Sequence, residues 1–269
     1  MNPASDMSGF TSIDDQPDPG FYVDLMDRAN RLAAILEVEA VAIAQLGLTT
    51  GGRLLDVGCG TGEDTRRVAA VVGPEGSAVG VDASRAMIET ARERTEGTGL
   101  PVTFEVVDAA ALEFPDDSFD AVRAERVLIH VPDPGKVLAE MVRVTRPGGR
   151  VVVIDVDFDL CVLDLPDAEL TRRAVHGMCD SMASGQIARQ LPRLFRACGL
   201  RDLKVDCRFV PFTDDIIALL IPGSLAGAVA AGTLDKDDAE ACWEAVEATM
   251  RDGDGLCGFP FFIVSGTKP

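Results

Sequence analysis

Apolar residues recur at helical steps over residues 18–46, where Leu25, Leu32, Leu36, Ala40 and Ile43 can share a face. This spacing predicts one or two helices. After residue 52 the pattern changes to short apolar runs separated by polar, helix-like stretches. Strands are expected at 53–57, 77–82, 102–107, 119–124 and 150–156. Helices are expected up to residue 72, over 84–94 with Ser84 as N-cap, and over 134–144. Pro147-Gly148-Gly149 reads as a sharp turn. The run 150–156 is continuously apolar, as a strand covered on both faces must be. Strands separated by helices predict a doubly wound α/β fold with a mostly parallel sheet.

The C-terminal part is less regular. Helices are expected at 166–183 and 190–198, a strand at 203–210, a helical stretch at 213–250 and a last strand at 259–266, giving seven strands. The chain therefore divides into a polar, mobile N-terminus (1–17), lid helices (18–47), a core (48–212), a helical cap insertion (213–257) and a final strand returning to the core (258–269).

Composition narrows the function. With 47% hydrophobic residues, the 269-residue chain can bury a full core. The net charge of −19 repels phosphate backbones, and no basic footprint is visible, so nucleic acid is excluded as a partner. The seven cysteines form no CxxC pair, so neither a zinc site nor a disulfide framework is expected. They read as reduced thiols of a cytoplasmic protein with no metal. The N-terminus lacks the basic and apolar regions of a signal peptide. The apolar stretch 216–232 is shorter than the ~20 residues of a membrane span and is broken by Pro222 and glycines. No membrane partner is expected, and the apolar insertion leaves room for a homodimer.

The chemistry concentrates in Leu54-Leu55-Asp56-Val57-Gly58-Cys59-Gly60-Thr61-Gly62. A strand runs into alternating glycines and then a helix. Glycine allows a tight turn and close approach of a ligand, and the free N–H groups of a helix start attract an anion. The spacing is G-x-G-x-G, not the G-x-G-x-x-G of dinucleotide binding. Asp82 ends the second strand, 24 residues after Gly58, where a carboxylate suits a ribose diol. Asp108 follows the third strand, placed to accept a bond from an adenine amino group.

Taken together, LLDVGCGTG, VGVDAS, VVDAAALEFPDDSFDAV, ERVLIHVPDP and EMVRVTRPGGRVVVID resemble class I S-adenosylmethionine-dependent methyltransferases of the ubiquinone/menaquinone-biosynthesis-like group. The resemblance covers about residues 53–155. It implies a Rossmann-like sheet whose last strand is antiparallel, and S-adenosylmethionine as cofactor. It implies that Gly58, Gly60, Thr61 and Gly62 hold the methionine part and that Asp56 orients its amino group. Asp82 and Ala83 would bind the ribose, Asp108 and Ala109 the adenine, and Glu125 and Arg126 would lie near the sulfonium.

Many relatives carry two adjacent histidines after the fourth strand, where this chain has Ile129-His130. An unperturbed imidazole titrates near ~6.5, so His130 is the candidate base for a substrate hydroxyl or amine. His176 reads as an ordinary helical histidine. Phe21 and Tyr22 on the lid, and the apolar run of the insertion, are the candidate contacts for a small hydrophobic acceptor, as in natural-product methylation. Two alternatives share parts of this pattern: a protein that binds S-adenosylmethionine without methylating, such as a cyclase or noncatalytic partner, and an NAD-dependent oxidoreductase, which the glycine spacing disfavours.

Overall fold

In the computed structural model, which describes residues 9–10, 12–253 and 255–269, two helices precede the sheet. They are α1 (Pro19–Ala29) and α2 (Ala33–Leu46). Pro19 starts α1, where its missing N–H costs nothing, and Gly47 ends α2 in the left-handed conformation at φ 64°. Of the segment expected to be mobile, residues 1–8 and 11 lie outside the described residues. Residues 13–15 form a 3-10 turn with Ile13 buried.

The predicted alternation follows. The strands are β1 (Arg53–Val57), β2 (Ser77–Asp82), β3 (Val102–Val106), β4 (Phe119–Glu125) and β5 (Thr145–Val156). Between them lie α3 (Glu63–Val72), α4 (Arg85–Glu93) and α5 (Pro134–Val144). The five strands pair in parallel in the order β3-β2-β1-β4-β5. Leu54, Leu55, Val122 and the run Val151 to Ile154 are buried between the helical layers. Each such side chain contributes about 1.5–3 kcal/mol, so Leu55→Ala would cost about 2–5 kcal/mol. The Ser84 cap is present: its Oγ accepts the Met87 N–H at 3.2 Å and donates to Asp14 at 2.6 Å. Asp14 also takes the N–H groups of Arg85 and Ala86, which docks the N-terminal turn on the start of α4.

The remainder comprises β6 (Val162–Leu163), α6 (Ala168–Ser181), α7 (Ile187–Ala197), β7 (Arg201–Pro211), α8 (Asp214–Ala230), α9 (Lys236–Asp252) and β8 (Cys257–Thr267). β8 runs antiparallel between β5 and β7, as the resemblance implies. The sheet has eight strands against seven expected, and the extra one is β6. Its two residues pair with Cys257 and Gly258 and are too few to show alternation in sequence. β5 starts before the expected turn. Gly148 there adopts φ 77°, its N–H donates to Lys268 O at 2.8 Å, and Lys268 N–H returns to Gly149 O at 3.0 Å. The helical insertion is the pair α8 and α9, and α8 packs on α1, α6 and α9. No helix among the described residues is long and apolar enough to cross a membrane.

Candidate functional site

The carboxyl ends of β1, β2, β4 and β5 open on a cavity of about 460 Å³. Ligands of open α/β sheets bind at this edge. One wall is formed by Gly58, Gly60, Asp82, Asp108, Glu125 and Arg126, with Ala83 and Ala109 beside them. Apolar and aromatic side chains complete the lining: Phe158, Phe212, Phe259 and Phe261, with Phe10 stacked on His130, and Ile216 and Leu220 from α8. Ile216 and Leu220 stand one helical turn apart, so one face of the insertion closes the cavity.

The bend is held from below and from the side. Gly58 and Cys59 donate their N–H groups to Val81 O at 2.7 and 2.9 Å, which ties the β1 turn to the end of β2. Gly58 and Gly60 adopt φ 69° and 51°, and a Cβ on either would strike Val127 or Met26 at the cavity wall. Asp82 Oδ2 accepts the Gly60 N–H and Oδ1 the Ser84 N–H, each at 2.9 Å. Each oxygen keeps a lone pair for a further donor. Burial raises the Asp82 carboxyl above its ordinary value, while the two N–H donors pull it back. Asp108 is exposed at the rim, and its Oδ1 accepts the Ala110 N–H at 2.8 Å. Gly62, by contrast, lines no part of the cavity. At φ 74° it packs under Phe104 at the start of α3.

Beside the glycines, a narrow recess is lined by Asp56, Thr61, Asp64, Glu125, Arg126 and Asn30. Asp56 accepts the Thr65 hydroxyl at 2.7 Å, and its other oxygen lies 3.7 Å from Arg123 Nε. Burial pushes the Asp56 carboxyl up to about 6 against the pull of Arg123. The Thr61 hydroxyl is buried with no partner among the described residues, so it is available to a ligand.

Beneath this recess lies a buried charge network that is not apparent from the sequence. Arg123 Nη2 donates to Glu39 at 3.0 Å and to Glu125 at 2.7 Å, and Asp64 stands 3.7 Å from Nη1. Glu39, Asp64 and Glu125 converge there, with the Arg123 guanidinium supplying the positive charge. Burial raises Glu39 well above the carboxylate range, with Arg123 opposing and Glu125 reinforcing the shift. Glu125 goes the other way. Burial would raise it, but Arg126, Glu39 and Arg123 together bring it down to about 2. The environment therefore favours a proton on Glu39 over one on Glu125. Arg126 Nη2 reaches Glu125 at 3.0 Å and Asn30 Oδ1 at 2.9 Å, tying the end of β4 to α1. Its backbone is also special, with φ 52°.

His130 lines the cavity and stacks on Phe10, with centroids 5.2 Å apart. Burial, aided by the Arg126 charge, lowers it to about 4. The expectation of an imidazole titrating near neutrality is therefore corrected: the ring is neutral and a weak base. Phe21 and Tyr22 also need correction, because neither is among the lining residues. Tyr22 is fully buried behind Phe10, edge-on at 4.8 Å, in a small cluster with Ile13 and Met87. Phe10 holds the wall position instead. His176 is exposed on α6, its Nε2 3.4 Å from Asp159. Asp155 lies near the end of an apolar strand, and nothing in the sequence marks it for the site. It is buried under the His130 turn, accepts the Ile129 and Val156 N–H groups, and is pushed up by burial to about 7.

A family model described as a methyltransferase domain matches residues 48–197. Methyltransferase GfsG of Streptomyces halstedii is 37% identical over 142 residues, covering 52% of this chain and 48% of that protein. The ubiquinone/menaquinone biosynthesis C-methyltransferase UbiE of Burkholderia mallei is 37% identical over 117 residues, covering 44% of this chain and 48% of that protein. The chain thus spans about half the length of these curated relatives. Among solved structures, the YcgJ protein of Bacillus subtilis superimposes with a TM-score of 0.61 at 21% identity. That likeness covers 86% of this chain and 97% of YcgJ, and it is one of fold.

Proposed function

Because the chain belongs to the methyltransferase-domain family, we propose that its cavity takes S-adenosylmethionine against the glycine wall and methylates a small hydrophobic acceptor in the aromatic chamber. The observation that carries this reading is one cavity lined both by the glycine bend with its acids and by aromatic side chains. The polar wall fits the cofactor. Gly58 and Gly60 bring bare backbone to the surface, Asp82 keeps lone pairs for ribose hydroxyls, and the buried Thr61 hydroxyl lacks a partner. Asp108 and Ala109 would meet the adenine. The recess of Asp56, Asp64 and Glu125, with Arg126 at its edge, offers both signs of charge to an amino-acid group.

S-adenosylmethionine, when bound, supplies a methyl group activated by a cationic sulfur. The protein's own part is binding, alignment and exclusion of water. Holding two reactants in line can contribute about 7–11 kcal/mol. Phe158, Phe212, Phe259 and Phe261 offer apolar surface to the acceptor, and Ile216 and Leu220 shut water out. With His130 neutral and weakly basic, an acceptor that is already nucleophilic, or that loses its proton to water, fits best. The free cysteines suit a reducing cytoplasm, and a natural-product acceptor suits the apolar chamber.

The test is release of S-adenosylhomocysteine with a panel of apolar phenols, amines and enolisable carbonyl compounds. Acceptor-dependent release supports methyl transfer. Tight cofactor binding without release from any acceptor would favour the non-methylating alternative.

A further inference from the structure

Among the described residues, strand β7 pairs with β8 alone, and its outer edge meets no strand. The Phe212 N–H donates to Cys257 O at 2.9 Å, which sets the phase of the β7–β8 ladder. Even-numbered residues from Lys204 to Val210 turn their backbone groups to β8. Leu203, Val205, Cys207 and Phe209 turn theirs outward. Among the described residues, no other segment bonds to these outward groups. Their side chains share one face, on which Val205 is 54% and Phe209 41% exposed and Cys207 is exposed. Lys204, Asp206 and Arg208 share the other face, with Arg208 Nε 3.3 Å from Asp206. Natural sheets blunt such edges with bulges, prolines and lysines. Here the bulge beside Arg201 and the proline at 211 sit at the two ends, and the middle stays open.

We propose that β7 pairs antiparallel with β7 of a second copy of this chain, about a two-fold axis through Val205, joining the two sheets into one. The register follows from the strand itself. Any register that sets odd residues against even ones puts outward backbone groups against inward ones, so no ladder forms, and it also sets charge against apolar side chains. Of the registers that keep the ladder, centring on Asp206 sets Asp206 against itself and Lys204 against Arg208. Centring on Cys207 pairs Asp206 with Arg208 but sets Lys204 against Val210 and opposes Leu203 with Pro211, which has no N–H to donate, whereas centring on Val205 sets each Lys204 against the partner's Asp206. It also sets Val205 on Val205 and Leu203 on Cys207. Opposite charges thus meet on one face and apolar groups on the other. The contact is isologous and closes at two copies.

Sedimentation velocity over a concentration series tests this. The wild type should run at twice the 28.5 kDa chain mass. Lys204→Asp places two like-charged pairs at the contact and should weaken the dimer at least about tenfold. The double variant Lys204→Asp/Asp206→Lys should restore it. Val205→Pro removes an outward N–H but no bond to β8, so it should leave a folded monomer, checked by circular dichroism. A wild type that stays monomeric, a dimer indifferent to Val205→Pro, or a charge swap that fails to restore association would each overturn the proposal.

Discussion

Asp82 Oδ2 accepts the Gly60 amide at 2.9 Å, so the acid at the tip of β2 holds the middle glycine of the β1 bend in place. The same carboxylate therefore shapes one binding element and offers its remaining lone pairs to another. Asp82→Ala should weaken S-adenosylmethionine binding by about 1–3 kcal/mol, because buried donors lose a charged acceptor. Titration calorimetry on the variant measures this. An unchanged affinity would remove Asp82 from the site.

The Arg123 network makes a prediction about stability. Arg123 is 1% exposed and serves Glu39, Asp56, Asp64 and Glu125. Arg123→Met leaves buried carboxylates without a cation and should cost about 3–5 kcal/mol in urea unfolding. Glu39→Gln should cost no more than about 1 kcal/mol if the raised Glu39 carboxyl carries the shared proton. If Glu39→Gln proves as damaging as Arg123→Met, the assignment of the proton to Glu39 is wrong.

His130 gives a pH dependence with a defined sign. Its folded value is lowered to about 4 from an ordinary value of 6.5. Between those values the unfolded chain binds the proton and the folded chain does not, so stability is full above pH 6.5 and declines as pH falls toward 4. Asp56 and Asp155, raised by burial to about 6 and about 7, change stability in the opposite sense over this window, so the His130 contribution is read as a difference: between pH 7 and pH 4 the wild type should lose about 1–3 kcal/mol relative to His130→Gln in urea unfolding. The pH–rate profile should also lack a limb near pH 6.5 that disappears in this variant. Such a limb would make the imidazole a base after all.

The α8 side of the chamber tests the proposed division between acceptor and cofactor. Leu220 lines the cavity from α8, not from the strand tips that carry the glycine bend. Leu220→Phe should raise the acceptor KM several-fold while cofactor affinity stays within about twofold. Equal losses in both would mean that the two walls do not act separately.

The sequence shows the polar wall well because its signals are local. A glycine bend after a strand and acids at the next two strand tips are bound to the sheet's carboxyl edge by topology, and Asp82, Asp108 and Arg126 all reach the cavity. The charge network is hidden because Arg123 and Glu39 lie 84 residues apart and meet only through packing. A trace was there: Glu39 stands one turn after Ile35 on the buried face of α2, where a carboxylate needs a partner. Tyr22 misleads because neighbouring helical positions point about 100° apart, and composition does not say which faces the cavity. Phe10 carries no signal because it stands inside a polar segment. Phe259 and Phe261 alternate on β8, but Phe10, Phe158 and Phe212 come from other segments, so no single periodicity marks them as one surface. β6 is too short to show any pattern.

The central claim is that the alternating-glycine bend and Asp82 together grip a nucleoside joined to an amino acid. A crystal structure of the protein soaked with S-adenosylhomocysteine tests it most directly. The account predicts the ribose on Asp82, the adenine beside Asp108 and Ala109, and the sulfur facing the phenylalanine-lined chamber. Ligand bound elsewhere, or a bend left empty at saturating ligand, would contradict it.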